Sequence, residues 1–154
     1  MGIVLAIYIC SDKGQPMQKL TIVQAIEGIG LADDRYATGS GAYSQSKRIT
    51  VRQVSLISQE AIDAANQEFG LDYTPEETRR NILVSGIDLN NLVGKVFSVG
   101  KVQMQGIELC EPCDRPSKLS GKANFKTSFE NRGGLRAAVL STGQIHEGDS
   151  IVVI

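Results

Sequence analysis

Short aliphatic runs separated by glycine limit the folds open to this chain. Each run has the alternating or clustered apolar pattern of a β-strand. The chain holds 16 glycines against 4 prolines, which indicates frequent turns between strands rather than disorder. The predicted strands are residues 3–11, 20–26, 49–57, 92–99, 101–109, 136–141 and 150–154.

Two helices are predicted between these strands. Ser58 can cap a helix that carries Glu60 in its first turn and a stripe of apolar residues, and Gly70 is a typical helix end. A shorter helix is indicated by Thr74-Pro75-Glu76-Glu77, where threonine caps, proline suits the first helical position and the acids complement the helix dipole. Residues 112–132 are poor in apolar side chains and predict a loop with at most one or two helical turns.

Many short strands with two or three short helices describe a mainly β, α+β domain. We expect a barrel-like sheet, because closure would remove its exposed edge strands. At 154 residues the chain has the length of one domain, and no repeat, linker or low-complexity segment divides it. The sequence therefore predicts a single barrel-like domain over residues 1–154.

Charge and cysteine content restrict the partners and the compartment. The 16 basic and 17 acidic side chains give a net charge of −1, so no field of one sign is available to hold nucleic acid or an anionic membrane. Any site that binds an anion must therefore be formed by a local group of basic residues and not by the charge of the whole protein. The apolar run 3–9 is too short for a membrane span or a secretory signal. Three cysteines, an odd number, favour a reducing compartment, and we expect a cytoplasmic protein.

The most informative chemical motif is the C-x-x-C of Cys110 and Cys113, because a thiolate is both a strong nucleophile and a soft-metal ligand. Cys113 is the preferred working thiol. It follows Pro112, where the chain leaves the strand, whereas Cys110 ends an alternating run and can point into the core. Arg115 or Lys118 could supply the positive potential that a thiolate needs.

Three other interpretations of this motif stay open. A zinc site would need four ligands, and the remaining soft candidates are Cys10 and His146, the latter in a predicted surface turn over residues 143–149. A thioredoxin-like redox pair would need a βαβ unit, which the pattern does not show. Both thiols could also be buried without a chemical role, as we expect for Cys10 in its apolar run.

Three arginine-bearing segments are candidate anion sites. In Arg132-Gly133-Gly134-Leu135-Arg136 the glycines free backbone N–H groups to converge on a phosphate, although a turn before a strand has the same pattern. Arg79-Arg80-Asn81 can bind an anion or complement a helix dipole. Asp34-Arg35-Tyr36 lies in a glycine-rich loop, which we expect it to pin through backbone contacts, with a ligand-facing role as the alternative.

Taken together, these segments and their order resemble the MOSC domain, the family named after the C-terminal domain of molybdenum cofactor sulfurases. The resemblance spans most of the chain. It departs from the family pattern at one place, where this chain has Asp33-Asp34-Arg35-Tyr36 instead of the expected Gly-Asp-Arg-Tyr. The matching segments are residues 30–36, 52–61, 79–82, 86–89, 92–94, 106–113 and 132–140, followed by Gly143 and Gly148-Asp149.

The resemblance implies a β-barrel fold and a role in handling sulfur for metal–sulfur cofactors. It implies that one late cysteine, which looks like Cys113 with Cys110 as its neighbouring alternative, receives persulfide sulfur or ligates the molybdenum of molybdenum cofactor. A pterin-type cofactor also needs a phosphate grip, which arginine-bearing segments could provide. The candidate cofactor-binding residues are Arg35, Arg79, Arg80, Asn81, Arg132, Gly133, Gly134 and Arg136.

The resemblance also bears on partners and on activity. A small stand-alone member lacks a desulfurase domain, so we expect a separate cysteine desulfurase-type sulfur donor or a metal–sulfur cofactor enzyme as partner. Sulfurtransferase or oxidoreductase catalysis and pyridoxal phosphate binding are associated with the family as a whole. Two alternatives remain, a molybdenum-dependent reductase module for N-hydroxylated compounds and a non-catalytic module that binds a phosphorylated ligand.

Overall fold

The computed structural model describes residues 1–42 and 52–154, and the elements and absences given below refer to these residues. The strands are β1 (Gly2–Ile9), β2 (Gln18–Leu20), β3 (Ile22–Ile26), β4 (Gly30–Leu31), β5 (Val54–Ser58), β6 (Ile82–Ser85), β7 (Val96–Val99), β8 (Val102–Leu109), β9 (Leu135–Val139), β10 (Gly143–His146) and β11 (Ser150–Val153). The helices are α1 (Arg35–Thr38), α2 (Gln59–Phe69), α3 (Arg115–Ser120) and α4 (Phe125–Ser128), and Pro75–Thr78 and Leu89–Leu92 form 3-10 turns. All of these helices fall short of the length and apolar content that a membrane crossing needs.

Seven of the described strands close into a barrel, which confirms the predicted fold class. They follow one another in the order β1-β6-β5-β9-β8-β7-β11, and β11 pairs back with β1 where Gly2 lies opposite Ile151. β2 extends this sheet beyond β1, and β3, β4 and β10 form a smaller second sheet. Closure leaves the seven strands without free edges, as expected for a stable β-domain.

One connection in the barrel was not predicted. β5 and β6 run parallel, and the chain passes between them through α2. The expectation that the chain contains no βαβ unit is therefore wrong, because β5-α2-β6 is one. The C-x-x-C motif lies outside this unit, at the end of β8 and before α3. The structural context of a thioredoxin-like pair is thus still missing.

Most predicted strands are present with shifted ends, but three strands were missed. β4 and β6 were not assigned, and Gly143–His146 is a strand that pairs with β3 rather than a surface turn. The run predicted at residues 92–99 begins as a 3-10 turn and becomes a strand only at Val96. Residues 49–51 of another predicted strand lie outside the described part of the chain. The four α-helices exceed the two or three predicted, since α1 was not predicted and two short helices occupy residues 112–132.

Two apolar clusters hold the fold together, one inside the barrel and one between the barrel and the helices. Along β5, Leu56 packs inside the barrel, whereas its neighbour Ile57 packs outward against the helical layer. In that outer layer Tyr73 meets the rings of Phe125 and Phe129 edge-on, at centroid distances of 5.3 and 5.9 Å. Burial on both faces explains why the β5 and β6 sequences are almost continuously apolar.

The predicted ends of the first helix are confirmed. The Ser58 hydroxyl accepts a hydrogen bond from the Ala61 N–H at 3.1 Å, and Gly70 ends α2 in the left-handed conformation. The second predicted helix is the 3-10 turn over Pro75–Thr78. It is held at its start because the Thr74 N–H donates to the Glu77 carboxylate at 2.9 Å.

Gly134, directly before β9, lies very close to the backbone of β5. Its φ of +109° lies in a region that L-residues rarely adopt, and a Cβ added there would collide with the Leu56 carbonyl oxygen of β5. Gly134 also accepts a hydrogen bond from the Cys110 N–H at 2.8 Å. A glycine is therefore needed for β9 to begin beside β5 and the end of β8.

We expect Gly134→Ala to lower the free energy of unfolding by about 3 kcal/mol or more, because backbone strain and a clash with buried backbone add together. The matched control is Gly70→Ala, which has a left-handed φ of +63° but no atom within 4 Å of the added Cβ, and should cost about 1–2 kcal/mol. Urea unfolding of both variants measures the difference. Equal losses would show that the close approach to Leu56 does not matter.

The link between the 3-10 turn and the segment after α3 should depend on pH. Burial by itself would raise the pKa of Glu77, but hydrogen bonds from Lys122, at 2.7 Å, and from Thr74 outweigh it and lower the pKa below its ordinary value of 4.5. Because the pKa of Glu77 is lower in the folded state, ionisation of Glu77 stabilises the fold at a pH above its unfolded-state pKa. This stabilisation is lost as the pH falls through the folded-state pKa.

The free energy of unfolding of wild type should therefore exceed that of Glu77→Gln most clearly at neutral pH. The gap should shrink as the pH falls below about 4.5. Denaturant titrations between pH 3 and pH 7 provide the measurement. A gap that is constant across this range would show that the carboxylate charge contributes nothing.

Candidate functional site

A cleft opens where the loops after β1 and β8 meet the residues that precede β5 and β6. Its lining includes both cysteines of the C-x-x-C motif and one carboxylate, that of Glu111. Seven cationic side chains from the described residues line the same space. They are Lys13, Arg35, Arg52, Arg79, Arg80, Arg115 and Arg136.

The two cysteines of the motif differ in exposure. Cys110 is 4% exposed and is held at the end of β8 by the hydrogen bond from its N–H to the Gly134 carbonyl. Cys113 is half-buried and lies in the irregular segment between β8 and α3. Both thiols are free rather than joined in a disulfide. Cys113 is thus the more accessible sulfur, in line with the preference given to it by the sequence.

A fully buried carboxylate, that of Asp34, organises the floor of the cleft. It accepts hydrogen bonds from the Cys10 N–H and from the Arg35 guanidinium, each at 3.1 Å. It also accepts from the Tyr36 N–H and from the Asn81 amide, each at 3.3 Å. The predicted pinning role of the Asp34-Arg35-Tyr36 segment is confirmed, and Arg35 lines the cleft as well.

Asn81 extends this network to the neighbouring strands. Its amide nitrogen donates to the Tyr8 carbonyl at 3.1 Å, and its amide oxygen accepts from the Ser55 N–H at 3.0 Å. Asn81 is 1% exposed, so these contacts replace water for a buried polar group. Among the residues predicted to bind a cofactor, Asn81 serves first to join the ends of β1, β5 and β6.

Arg79 has a lowered pKa and contacts several groups of the cleft. Its φ of +65° is unusual for a residue with a side chain, and its carbonyl accepts a hydrogen bond from Arg35 at 3.0 Å. Its guanidinium donates to the Gln15 carbonyl and to the Cys10 sulfur, the latter at 3.6 Å. Burial and the positive charges of Arg35 and Arg115 lower the pKa of Arg79, although contact with Cys10 opposes the effect. A bound anion would relieve this accumulation of positive charge.

Arg80 and Arg136 are held against other parts of the protein. The Arg80 Nε donates to the Gly133 carbonyl at 2.7 Å, and its guanidinium lies 5.9 Å from the ring centre of Phe125. Arg136 forms a salt bridge with Glu108 across the β8–β9 pair. A guanidinium has five N–H donors, so each keeps donors for a ligand while its orientation is held in place.

The segment 132–136 is divided by the fold. Arg136 lines the cleft, but Arg132 forms a salt bridge with Glu68 of α2 at 2.7 Å and lies outside the cleft. Gly133 and Gly134 also lie outside the lining and serve close backbone packing. A Cβ on Gly133 would lie 2.6 Å from the Cys110 carbonyl oxygen. The structure thus does not bring these three residues together with the other candidates.

Several cleft residues were not found from the sequence. Lys13 and Arg52 line the cleft although neither of them stands in a segment that the sequence indicated for anion binding. Arg115 was named only as a source of positive potential, and it also lines the cleft. Cys10 is buried as expected, yet its contact with Arg79 was not anticipated. Only proximity between distant segments reveals these residues.

The zinc interpretation gains no support from the described residues. No group of three or more histidine, cysteine, aspartate or glutamate side chains in this part of the chain is arranged to hold a metal ion. His146 belongs to β10 and lies near Asp149, outside the cleft that Cys110 and Cys113 line. The two soft ligands that zinc would need in addition to this pair are therefore not assembled there.

Solved structures with similar folds are available. YuaD protein from Bacillus subtilis superposes with a TM-score of 0.80 at 20% identity, covering 99% of this chain and 96% of that one. YiiM from Geobacillus stearothermophilus gives a TM-score of 0.72 at 13% identity, over 100% of this chain and 75% of that one. YiiM from Escherichia coli gives 0.71 at 15% identity, over 100% and 70%. At such identities the likeness concerns the fold.

The sequence itself matches a known family. No curated protein matches the chain significantly. A sequence model of the MOSC domain, however, matches residues 33–152, a range that includes the Asp34 network, the arginines at 79–80 and the C-x-x-C motif. Since this match covers far more than half of the chain and the barrel agrees with it, the protein belongs to the MOSC domain family.

Proposed function

We propose that this protein is a sulfur carrier for metal–sulfur cofactor handling, with Cys113 as the thiol that receives sulfur. One observation carries the proposal: Cys113 is the more exposed thiol of the motif, and it shares a cleft with seven cationic side chains of the described chain. Glu111 is the one carboxylate among the described lining residues, while Arg35 and Arg136 are paired with Asp34 and Glu108. Positive charge therefore predominates among the described residues that line the cleft.

This excess of positive charge suits each anionic species that a sulfur carrier must hold. In the loading step the Cys113 thiolate attacks the outer sulfur of a donor persulfide. A new S–S bond forms at Cys113, the S–S bond of the donor breaks, and the donor leaves as a thiolate. The resulting persulfide is again an anion in a cationic cleft.

The cations of the cleft also suit the phosphate group of the molybdenum cofactor with which the family is associated. Arg79, Arg80 and Arg136 present guanidinium groups whose positions are set by protein contacts, and such groups bind phosphate in a bidentate manner. Cys113 supplies the soft sulfur ligand that molybdenum accepts. When bound, the cofactor would supply a redox-active metal centre. Stoichiometric molybdenum in the purified protein would favour the reductase alternative over a carrier.

The carrier role predicts a sulfur adduct at Cys113. Incubation with a cysteine desulfurase and cysteine should add one sulfur to the chain, and the adduct should be absent from Cys113→Ser, because serine cannot attack the donor persulfide. Intact and peptide mass spectrometry measure the adduct, and Cys10→Ser is the control, since Cys10 is buried outside the lining of the cleft. An adduct that survives Cys113→Ser but vanishes with Cys110→Ser would reassign the working thiol.

The cleft should bind inorganic phosphate through its cations. Arg115 and Lys118 stand on the same helix, α3, but only Arg115 lines the cleft. We expect Arg115→Ala to weaken phosphate binding about tenfold, since a charge-assisted hydrogen bond contributes about 1.5–3 kcal/mol before screening. Lys118→Ala removes the same charge outside the cleft and should change affinity less than twofold.

Isothermal titration calorimetry at fixed ionic strength gives both dissociation constants. Equal weakening by the two variants would mean that net charge, and not the cleft, attracts phosphate. Phosphate binding together with a complete lack of sulfur loading would support the non-catalytic binding module instead of the carrier.

A further inference from the structure

We infer that residues 11–16 form a strap at the edge of the cleft, and that an anion bound in the cleft holds this strap closed through Lys13 and Arg79. The strap connects β1 with β2, and its residues Lys13 and Gly14 line the cleft. The inference rests on the proposed function, since it needs the anion site of the cleft. It adds to that site a moving part that controls how an anion enters and leaves.

The first support is the light attachment of the strap to the rest of the protein. All six of its residues are exposed. Within the described chain, the N–H groups of the strap bond only to the strap itself, from Lys13 to the Asp12 carboxylate and from Gln15 to the Asp12 carbonyl. A segment with so few bonds to its surroundings opens locally at a low cost in free energy.

The second support is the way in which the strap is fastened. Side chains outside the strap hold its carbonyl oxygens, and they are those of Arg79, Cys10 and Ser40. Arg79 donates to the Gln15 carbonyl and also to the Cys10 sulfur, the latter at 3.6 Å. The same guanidinium lines the cleft, and a guanidinium has five N–H donors. Arg79 can therefore hold the strap and a bound anion at the same time.

The third support is the distribution of charge on the two sides of the gap. Lys13 belongs to the strap, whereas Arg79 and Arg115 belong to the body of the protein. The strap approaches α3 closely, since a Cβ on Gly14 would lie 3.7 Å from the Arg115 Nη2 atom. Among the described residues, none of these three cations has a carboxylate in salt-bridge contact. Like charges oppose closure of the empty cleft, whereas an anion between them attracts both sides.

Closure by the ligand has a consequence for the time that the ligand stays bound. The coupling between anion binding and strap closure is reciprocal, so a strap that the anion closes also strengthens binding of the anion. Opening of the strap then precedes release, as for other closing loops. The strap thereby keeps an anionic ligand beside Cys113, which lines the same cleft.

Hydrogen exchange of the full-length protein, followed by mass spectrometry in chloride and in saturating phosphate at equal ionic strength, tests the closure. Phosphate should slow exchange of the strap amides about tenfold in wild type, which is the preference given by one charge-assisted contact. Lys13→Gln should still bind phosphate through the arginines but lose most of this slowing. Lys19→Gln removes the same charge from an exposed position of β2 outside the cleft and should behave as wild type.

The fastening by Arg79 is tested in chloride alone. Arg79→Lys keeps the positive charge but not the planar fork, so the strap amides should exchange about fivefold faster, the effect of one hydrogen bond. Arg80→Lys is the matched control, because the Arg80 Nε donates to the Gly133 carbonyl and not to the strap. Exchange of the β8 amides in the same samples shows whether each variant keeps its fold. Equal exchange of the strap in the two variants would show that Arg79 does not fasten it.

The outcomes separate this inference from the proposed function. Phosphate binding in calorimetry without slower exchange of the strap, or full slowing in Lys13→Gln, would overturn the strap and leave the anion site intact. A lack of phosphate binding to wild type would remove the anion site and the strap together. Slower exchange that depends on Lys13 but not on Lys19 supports the inference.

Discussion

The cationic cleft depends on one buried carboxylate. Asp34 accepts hydrogen bonds from the backbone at Cys10 and Tyr36 and from the side chains of Arg35 and Asn81. A carboxylate without solvent is tolerated only when it is paired and hydrogen-bonded, so these partners are held together by the cost of leaving it unsatisfied. Through them the end of β1, the start of α1 and the start of β6 meet at one point. Without Asp34, Arg35 would lose its carboxylate partner, and its positive charge beside Arg79 would not be balanced.

The repulsion among the arginines is also the basis of the proposed chemistry. Burial lowers the pKa of Arg79, and the nearby positive charges of Arg35 and Arg115 lower it further. The fold tolerates the crowding because Arg35 and Arg136 have carboxylate partners and Arg80 has a carbonyl partner. An anion that enters adds a favourable interaction for which the protein is already organised. A thiol on the wall of such a cleft is in a suitable place to carry negatively charged sulfur.

The barrel and the MOSC match involve most of the chain, whereas the candidate site draws on a few side chains around one cleft. The structure assembles Arg35, Arg79, Arg80, Asn81 and Arg136 around the thiols, but it directs Arg132 to Glu68. Arg132 and Arg136 look equivalent in the sequence. They differ because Arg132 precedes the tight approach at Gly133 and Gly134, while Arg136 belongs to β9.

The sequence by itself determined the features that arise from residues close together along the chain. These include most of the short strands, the capped helix between Ser58 and Gly70, the pinning of the loop by Asp34 and the chemical character of the C-x-x-C motif. Only the tertiary structure decided which side chains share the cleft. Lys13 follows the end of β1, Arg52 precedes β5 and Arg115 begins α3 beyond the end of β8, and these strand ends are distant along the chain. Closure of the sheet brings those ends together. No local sequence pattern specifies this closure, because it depends on pairings between residues far apart along the chain, such as Gly2 and Ile151.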